Sequence, residues 1–283
     1  MTTKNIAIIG AGNMGACLLG GLMKMGYAPE KIWLADPSAE RLNELIQEFK
    51  QPIHFTSNNL EAVKTAEIIL LAVKPLLIPK IAAELMAVLQ KNQPLIISIA
   101  AGVTVNVIQQ GLGGKIPIVR AMPNTPAMIG CGMTALFANE CVTHPQKNMA
   151  ESILRAVGSV VWIEDEKLMD AVTAVSGSGP AYFFLMIEAL QNAAEQLGLT
   201  PEVAKLLSIE TAYGAASMAL ESNKTVIELR KQVTSPGGTT EQAIRVFEEA
   251  NIRDIFVKAI QAANKRAEEI AQLLEKEMEA KYV

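Results

Sequence analysis

The 283-residue chain has little of what metal, disulfide or nucleic-acid chemistry requires. Its three cysteines, Cys17, Cys131 and Cys141, are an odd number with no CxxC spacing and no paired histidines nearby. Neither a disulfide framework nor a zinc site is expected, and a reducing cytoplasm suits such a set. Histidine occurs only at His54 and His144, both ahead of residue 165. The net charge of −4 is spread along the chain with no basic block, so a nucleic-acid partner would find no electrostatic footprint. Half of the residues are hydrophobic, yet no apolar run approaches the roughly 18 residues that span a bilayer. Ile6 to Met25 is largely apolar but is broken by Gly10, Gly12, Asn13 and Gly15 and has no cationic lead beyond Lys4, which argues against a secretion signal. A soluble protein long enough for two domains is expected.

What is present begins at once. Ile6 to Ile9 reads as a buried strand of a parallel sheet, Gly10, Gly12 and Gly15 form a GxGxxG turn, and Ala16 to Met25 reads as a helix. A second apolar run, Ile32 to Ala35, ends in Asp36, about 20 residues after the last glycine. In that context the turn predicts a dinucleotide site: Gly10 for the tight turn, Gly12 for close approach of a pyrophosphate, Gly15 for helix–strand packing, and free helix N–H groups for the anion. Further strands are expected at 53–55, 67–73, 94–99 and 116–121, and helices at 41–49, 60–65 and 78–89. The loop Lys74-Pro75 after one strand and Ala100-Ala101-Gly102 after the next would lie at the ligand edge. Lys74 there is either a phosphate or ribose partner or simply a solvated lysine. The alternation predicts a doubly wound parallel sheet, closed by strands at 131–138 and 159–163 around a helix at 146–157.

The acidic turn Glu164-Asp165-Glu166 marks a change of composition. We expect domains at 1–164 and 165–283, the second all-helical. Apolar periodicity predicts helices at 182–197, 201–220, 226–232 and 253–281, the last with Ile255, Ala259, Ile260, Ala263, Ala267, Ile270, Leu274 and Met278 on one face. Ser176-Gly177-Ser178-Gly179-Pro180 is either a helix interrupted by proline or a loop between two helices. So many apolar faces exceed what a small bundle buries, and the domain is expected to pack against its own copy. Between two of these helices, Val233-Thr234-Ser235-Pro236-Gly237-Gly238-Thr239-Thr240 reads either as a nest of backbone N–H groups for a small carboxylate or as an ordinary helix start capped by Thr239 or Ser235.

A nicotinamide enzyme acting on a ketone or hydroxy acid usually positions a histidine, lysine or tyrosine for the oxygen's proton. The helical half has no histidine, and its glycine loop is rich in hydroxyls and poor in acids. Reduction of a carbon–nitrogen double bond asks less, because an iminium nitrogen arrives already protonated and needs orientation.

Taken together, Gly10 to Gly15, Ala72-Val73-Lys74-Pro75, Ala100 to Gly102, Met122-Pro123-Asn124-Thr125-Pro126, 170–182 and Val233 to Thr240 resemble the pyrroline-5-carboxylate reductases over nearly the whole chain. The resemblance implies a Rossmann-type domain followed by an all-α oligomerisation domain, and NADPH- or NADH-dependent reduction of 1-pyrroline-5-carboxylate to L-proline. It further implies that Ile9, Gly10, Ala11, Gly12, Asn13, Met14, Asn59, Ala72, Val73, Lys74, Pro75, Ile99, Ala100 and Ala101 line the cofactor, and the motif adds Asp36. Ser235, Gly237, Gly238, Thr239 and Thr240 would hold the substrate carboxylate, with Thr240 on the ring nitrogen. Interlocked helical domains forming dimers, and five dimers forming a decamer, are implied as well. Gln232 departs from an asparagine that some members carry. Asp36 favours NADH, while Ser38 and Arg41 offer a route to NADPH, and the sequence leaves that preference open. Two alternatives are a hydroxy-acid dehydrogenase using Lys205 and a non-catalytic dinucleotide sensor.

Overall fold

The computed structural model describes residues 4–282, the side chains of residues 277–282 excepted. Packing divides the chain into two compact units: one runs through Ser178 and takes in the chain again from Ala263, and the other is Gly179–Ala262.

The first unit is built on one eight-stranded sheet. In chain order it comprises β1 (Ile6–Ile9), α1 (Asn13–Lys24), β2 (Ile32–Ala35), α2 (Ala39–Phe49), β3 (His54–Thr56), α3 (Asn59–Val63), β4 (Ile68–Leu71) and α4 (Ile78–Asn92). β5 (Leu95–Ser98), α5 (Val105–Leu112), β6 (Ile118–Met122), β7 (Gly132–Ala138), α6 (His144–Arg155) and β8 (Gly158–Trp162) follow. The strand order is β3-β2-β1-β4-β5-β6-β7-β8. The first six run parallel; β7 is antiparallel to β6, and β8 runs with β7. β1, β4 and β5 are buried at every residue, as strands covered on both faces must be. Alternate side chains enter two separate cores. Ile6 and Ile8 pack with Leu18, Leu22 and Leu45, whereas Ala7 and Ile9 pack with Leu85, Leu89 and Ile108. The doubly wound sheet is therefore as expected, with one helix added. α5 is only eight residues long, contains Gly111 and ends at Gly113 in the left-handed region, so its periodicity is too brief to read; Thr104 caps it by accepting from the Val107 N–H.

Beyond the sheet come α7 (Met169–Val172), α8 (Gly179–Gln196), α9 (Pro201–Glu221), α10 (Val226–Gln232), α11 (Thr239–Glu249) and α12 (Ile252–Tyr282). Of the two readings of 176–180, the interrupted helix holds: α7 widens into a π turn over Thr173–Gly177, closed by Ser178 N–H on the Thr173 carbonyl at 2.9 Å, and α8 starts directly after it. Pro180 lies in the first turn of α8, where its missing N–H costs nothing. The described chain does not divide by packing at a single cut near 164. The later part of α12 returns to the sheet unit, where Leu274 joins the Ile9 core and Thr104 donates to Glu275 at 3.1 Å. Ile270 sits so close to Gly102 that a Cβ there would meet it at 2.9 Å. Met278, expected on the same face, and residues 1–3 and 283 lie outside the described residues and side chains.

Within the second unit the helices hold their apolar side chains in the open. In α8 and α9 only Gly179, Ala204 and Ser208 are buried among the described residues, while Phe184, Leu206 and Tyr213 are 64%, 61% and 70% exposed. Side chains of this size each forgo roughly 2 kcal/mol when left in water, so the unit requires a covering surface.

A buried cation ties the sheet to the start of the helices. Arg120 on β6 is 4% exposed and lies 3.1 Å from Glu166 and 3.6 Å from Asp170, and Glu166 also accepts the Val105 N–H at 2.8 Å. Burial pushes the Asp170 carboxyl above its ordinary range, Arg120 opposes that, and Glu268 reinforces it. A raised carboxyl favours the fold at low pH and withdraws that support as pH rises through the shifted value. Replacing Arg120 with Met strands two carboxylates and should cost about 3 kcal/mol in urea unfolding at pH 7. Asp170→Asn should cost less than about 1 kcal/mol there, and its stability relative to the parent should improve from pH 4 to pH 7.

Candidate active site

The C-terminal ends of β2, β1, β4 and β5 lie side by side, and the loops that leave them bring most of the expected cofactor residues onto one edge. β1 delivers Ile9 and the turn Gly10 to Met14, β2 delivers Asp36, β4 delivers Ala72 to Pro75, and β5 delivers Ile99 to Ala101. The edge is knit by backbone: Gly10 N–H donates to Ala35 carbonyl, Ala72 N–H to Ile9, and Ile99 N–H to Leu71, at 2.8, 2.8 and 3.1 Å. Chain order reverses between β1 and β4, which is where a crevice opens in sheets of this kind. Asn59 stands apart on α3, with its amide on Glu84 at 3.2 Å. Lys74 is exposed at the head of the loop.

The three glycines of the turn answer to three different constraints. Gly10 has φ +103°, and a Cβ there would lie 2.5 Å from the Ala72 carbonyl oxygen. A Cβ on Gly15 would lie 2.0 Å from the Gly10 carbonyl oxygen, so that glycine lets α1 press against the strand exit. A Cβ on Gly12 would meet nothing within 4 Å. Gly12 therefore keeps open a space above the first turn of α1, which it caps without any side-chain bond. The first N–H groups of that helix have no helical acceptor. An open cradle, uncapped amides and a carboxylate at the end of β2 fit a dinucleotide.

The second constellation is in the helical unit. Of the two readings of 233–240, the side-chain cap fails: α11 is capped by Gly238 with no side-chain bond, and neither Thr239 nor Ser235 serves. Gly237 has φ +73° and Gly238 N–H donates to the Ser235 carbonyl at 3.0 Å, which turns the chain into the helix. Thr234 hydroxyl is spent on the Arg230 carbonyl at 2.6 Å. The loop is less bare than its composition implies, because Glu241 reaches back from the first turn to accept the Gly237 N–H at 2.8 Å. That contact was invisible in the sequence, where Glu241 follows the loop as an ordinary helix residue.

Other groups are accounted for without chemistry. His54 stacks on Trp33 and His144 opens α6. Lys205 is exposed on α9 and Gln232 ends α10. Burial holds the Cys17 thiol above its ordinary range, partly offset by Lys24. The structure also gives a role to Asn124, which the motif carried without one. Its amide donates to the Ser176 carbonyl at 3.1 Å and its carbonyl accepts Met133 N–H at 2.9 Å, fastening the exit of β6 to the π turn.

Comparison with known proteins agrees with this arrangement. The family model described as pyrroline-5-carboxylate reductase dimerisation matches residues 166–270, and one described as NADP oxidoreductase coenzyme F420-dependent matches 5–102. The pyrroline-5-carboxylate reductase of Pseudomonas aeruginosa is 45% identical over 274 residues, covering 97% of this chain and 99% of that one. The chain belongs to the pyrroline-5-carboxylate reductase family. The Escherichia coli member is 37% identical over 270 residues, covering 95% of this chain and 99% of that one. Among solved structures of the family, the Coxiella burnetii reductase matches with a TM-score of 0.91 at 48% identity, covering 95% of this chain and 99% of its own. The Plasmodium falciparum reductase, solved with NADP bound, matches at 0.84 and 29%, covering 96% and 99%. Family membership gives this chain an NAD(P)H cofactor and a homo-oligomeric state, the second in keeping with the uncovered faces of α8 and α9. No helix among the described residues is long and apolar enough to cross a membrane.

Two glycine substitutions should separate packing from binding. Gly15→Ala should lower stability by about 3 kcal/mol or more, because its Cβ collides with backbone. Gly12→Ala should change thermal stability by less than about 1 kcal/mol while weakening NAD(P)H binding, measured by nicotinamide fluorescence.

Proposed function

We propose that the protein reduces 1-pyrroline-5-carboxylate to L-proline, the closing step of proline synthesis. Bound NAD(P)H supplies a hydride to the ring imine carbon, and the carbon–nitrogen double bond becomes a single bond whose nitrogen keeps the proton it brought. In this reading Ile9 to Met14, Asp36, Asn59, Ala72 to Pro75 and Ile99 to Ala101 bind and orient the dinucleotide. Ser235 and Gly237 to Thr240 hold the substrate carboxylate through the uncapped start of α11, and Thr240 hydroxyl hydrogen-bonds the ring nitrogen. The observation that carries the reading is the pair of glycine-capped helix starts, at Gly12 and Gly238, whose first-turn amides no side chain caps, in a chain of this family. By function, residues 1–164 act as the dinucleotide domain and 165–283 as the substrate and dimerisation domain. The exposed faces of α8 and α9 interlock with those of a second copy, and dimers assemble further, to a decamer. The three free thiols suit a reducing cytoplasm.

Loss of reduced-nicotinamide absorbance on adding the imine, and none on adding 2-ketoacids, is the expected assay result; the reverse pattern would return the chain to the hydroxy-acid dehydrogenases. Thr240→Val should lower kcat about ten-fold, the worth of one oriented hydrogen bond, with cofactor affinity near normal. Unchanged turnover would remove Thr240 from the chemistry. Light scattering at micromolar concentration should give at least twice the 30.4 kDa chain mass, and a monomer would contradict the interlocked assembly.

A further inference from the structure

We infer that this reductase selects NADH over NADPH, that Asp36 makes the choice, and that Arg41 is committed elsewhere and does not rescue NADPH. The inference rests on the dinucleotide reading of the β1–β2 edge and decides what the sequence leaves open.

Asp36 follows β2 directly, and its carboxylate is fixed by two backbone donors. Oδ2 accepts the Ala11 N–H at 2.8 Å and Oδ1 accepts the Ser38 N–H at 2.9 Å. The first of these belongs to the glycine turn itself, so the carboxylate is locked to the loop that would carry the dinucleotide. An ionised carboxylate has about four acceptor positions, and the two that remain can take only donors. The hydroxyls of an unmodified ribose are donors; a 2′-phosphate brings acceptors and like charge.

The groups that could offset that repulsion are already drawn into the protein's own bonding, Arg41 through two of its five N–H donors. Arg41 Nε donates to the Ala11 carbonyl at 2.9 Å, and Nη1 pairs with Glu44 at 2.7 Å. Ser38 hydroxyl accepts the Arg41 N–H at 3.2 Å, so the hydroxyl caps α2 and its own N–H serves Asp36. The first turn of α2 adds Glu40. A 2′-phosphate at this edge would approach Asp36, with Glu40 and Glu44 on the adjoining helix and the guanidinium already bridging loop and helix. The selection is thus built from hydrogen bonds between the glycine turn, Asp36 and the start of α2, and the NADP seen in the Plasmodium falciparum relative does not carry over by family alone.

The test is direct binding of each reduced dinucleotide to the full-length protein without substrate, followed by nicotinamide fluorescence. The parent should bind NADH roughly ten-fold or more tightly than NADPH, the scale set by one like-charge contact at a partly solvated site. Asp36→Asn keeps the shape and an acceptor, and should narrow the ratio chiefly by tightening NADPH; Asp36→Ser is the second variant should the first unfold, as melting curves will show. Arg41→Ala should leave the ratio within about two-fold, since a committed guanidinium contributes little differential contact. Equal or tighter NADPH binding by the parent, an unchanged ratio in both Asp36 variants, or a selective loss of NADPH in Arg41→Ala would each overturn the inference. Binding of both dinucleotides without preference would leave the dinucleotide reading standing, whereas binding of neither would bring down both.

Discussion

The structure depends on backbone N–H groups that α1 and α11, starting from extended glycines, leave without a side-chain partner. α2, α3, α5, α9 and α10 each begin with Ser, Thr or Asn accepting a first-turn N–H, and α6 begins with a capping box of Thr143 and Gln146. α4 and α7 lack a side-chain cap as well, but each simply continues a preceding 3-10 turn; α1 and α11 start from extended Gly12 and Gly238 with no such cap. A serine or threonine at either position would satisfy a donor internally and contribute a few tenths of a kcal/mol over glycine. Glycine forgoes that and leaves the positive end of the helix to an external anion. Two anions are what the proposed reaction brings, a pyrophosphate and an imino-acid carboxylate.

Much of the first unit keeps the start of α1 where it is. Gly15 sits against the Gly10 carbonyl and fixes α1 on the end of β1, and the backbone bonds among β2, β1, β4 and β5 hold their exits level. The second unit follows a different logic. Its helices carry their own caps and turns but bury almost nothing by themselves.

The legibility of the sequence follows the range of the interactions involved. Strands buried on both faces and helices with a clean apolar stripe were readable because their signal is local, and the GxGxxG turn was readable because three glycines, a strand, a helix and a distant Asp36 constrain one another. α5 was lost because eight residues ending in glycines give too little periodicity. Arg120 looked like one residue of a strand end; only the fold brings Glu166 and Asp170 to it across more than forty residues of chain. The return of α12 to the sheet unit, the Asn124 clamp and the reach of Glu241 to Gly237 are likewise tertiary contacts with no pattern in the sequence. The uncapped start of α11 was half legible: the glycines were plain, but hydroxyls on either side made a conventional cap equally acceptable until the geometry excluded it.

The central claim is that the two glycine-capped helix starts are anion sites serving one reaction. A crystal structure of the protein grown with the oxidised or reduced dinucleotide and proline tests it most directly. The account predicts the pyrophosphate against the amides following Gly12 and the proline carboxylate against the amides of Thr239 and Thr240. A pyrophosphate bound elsewhere, or a proline carboxylate that leaves the start of α11 empty, would contradict it.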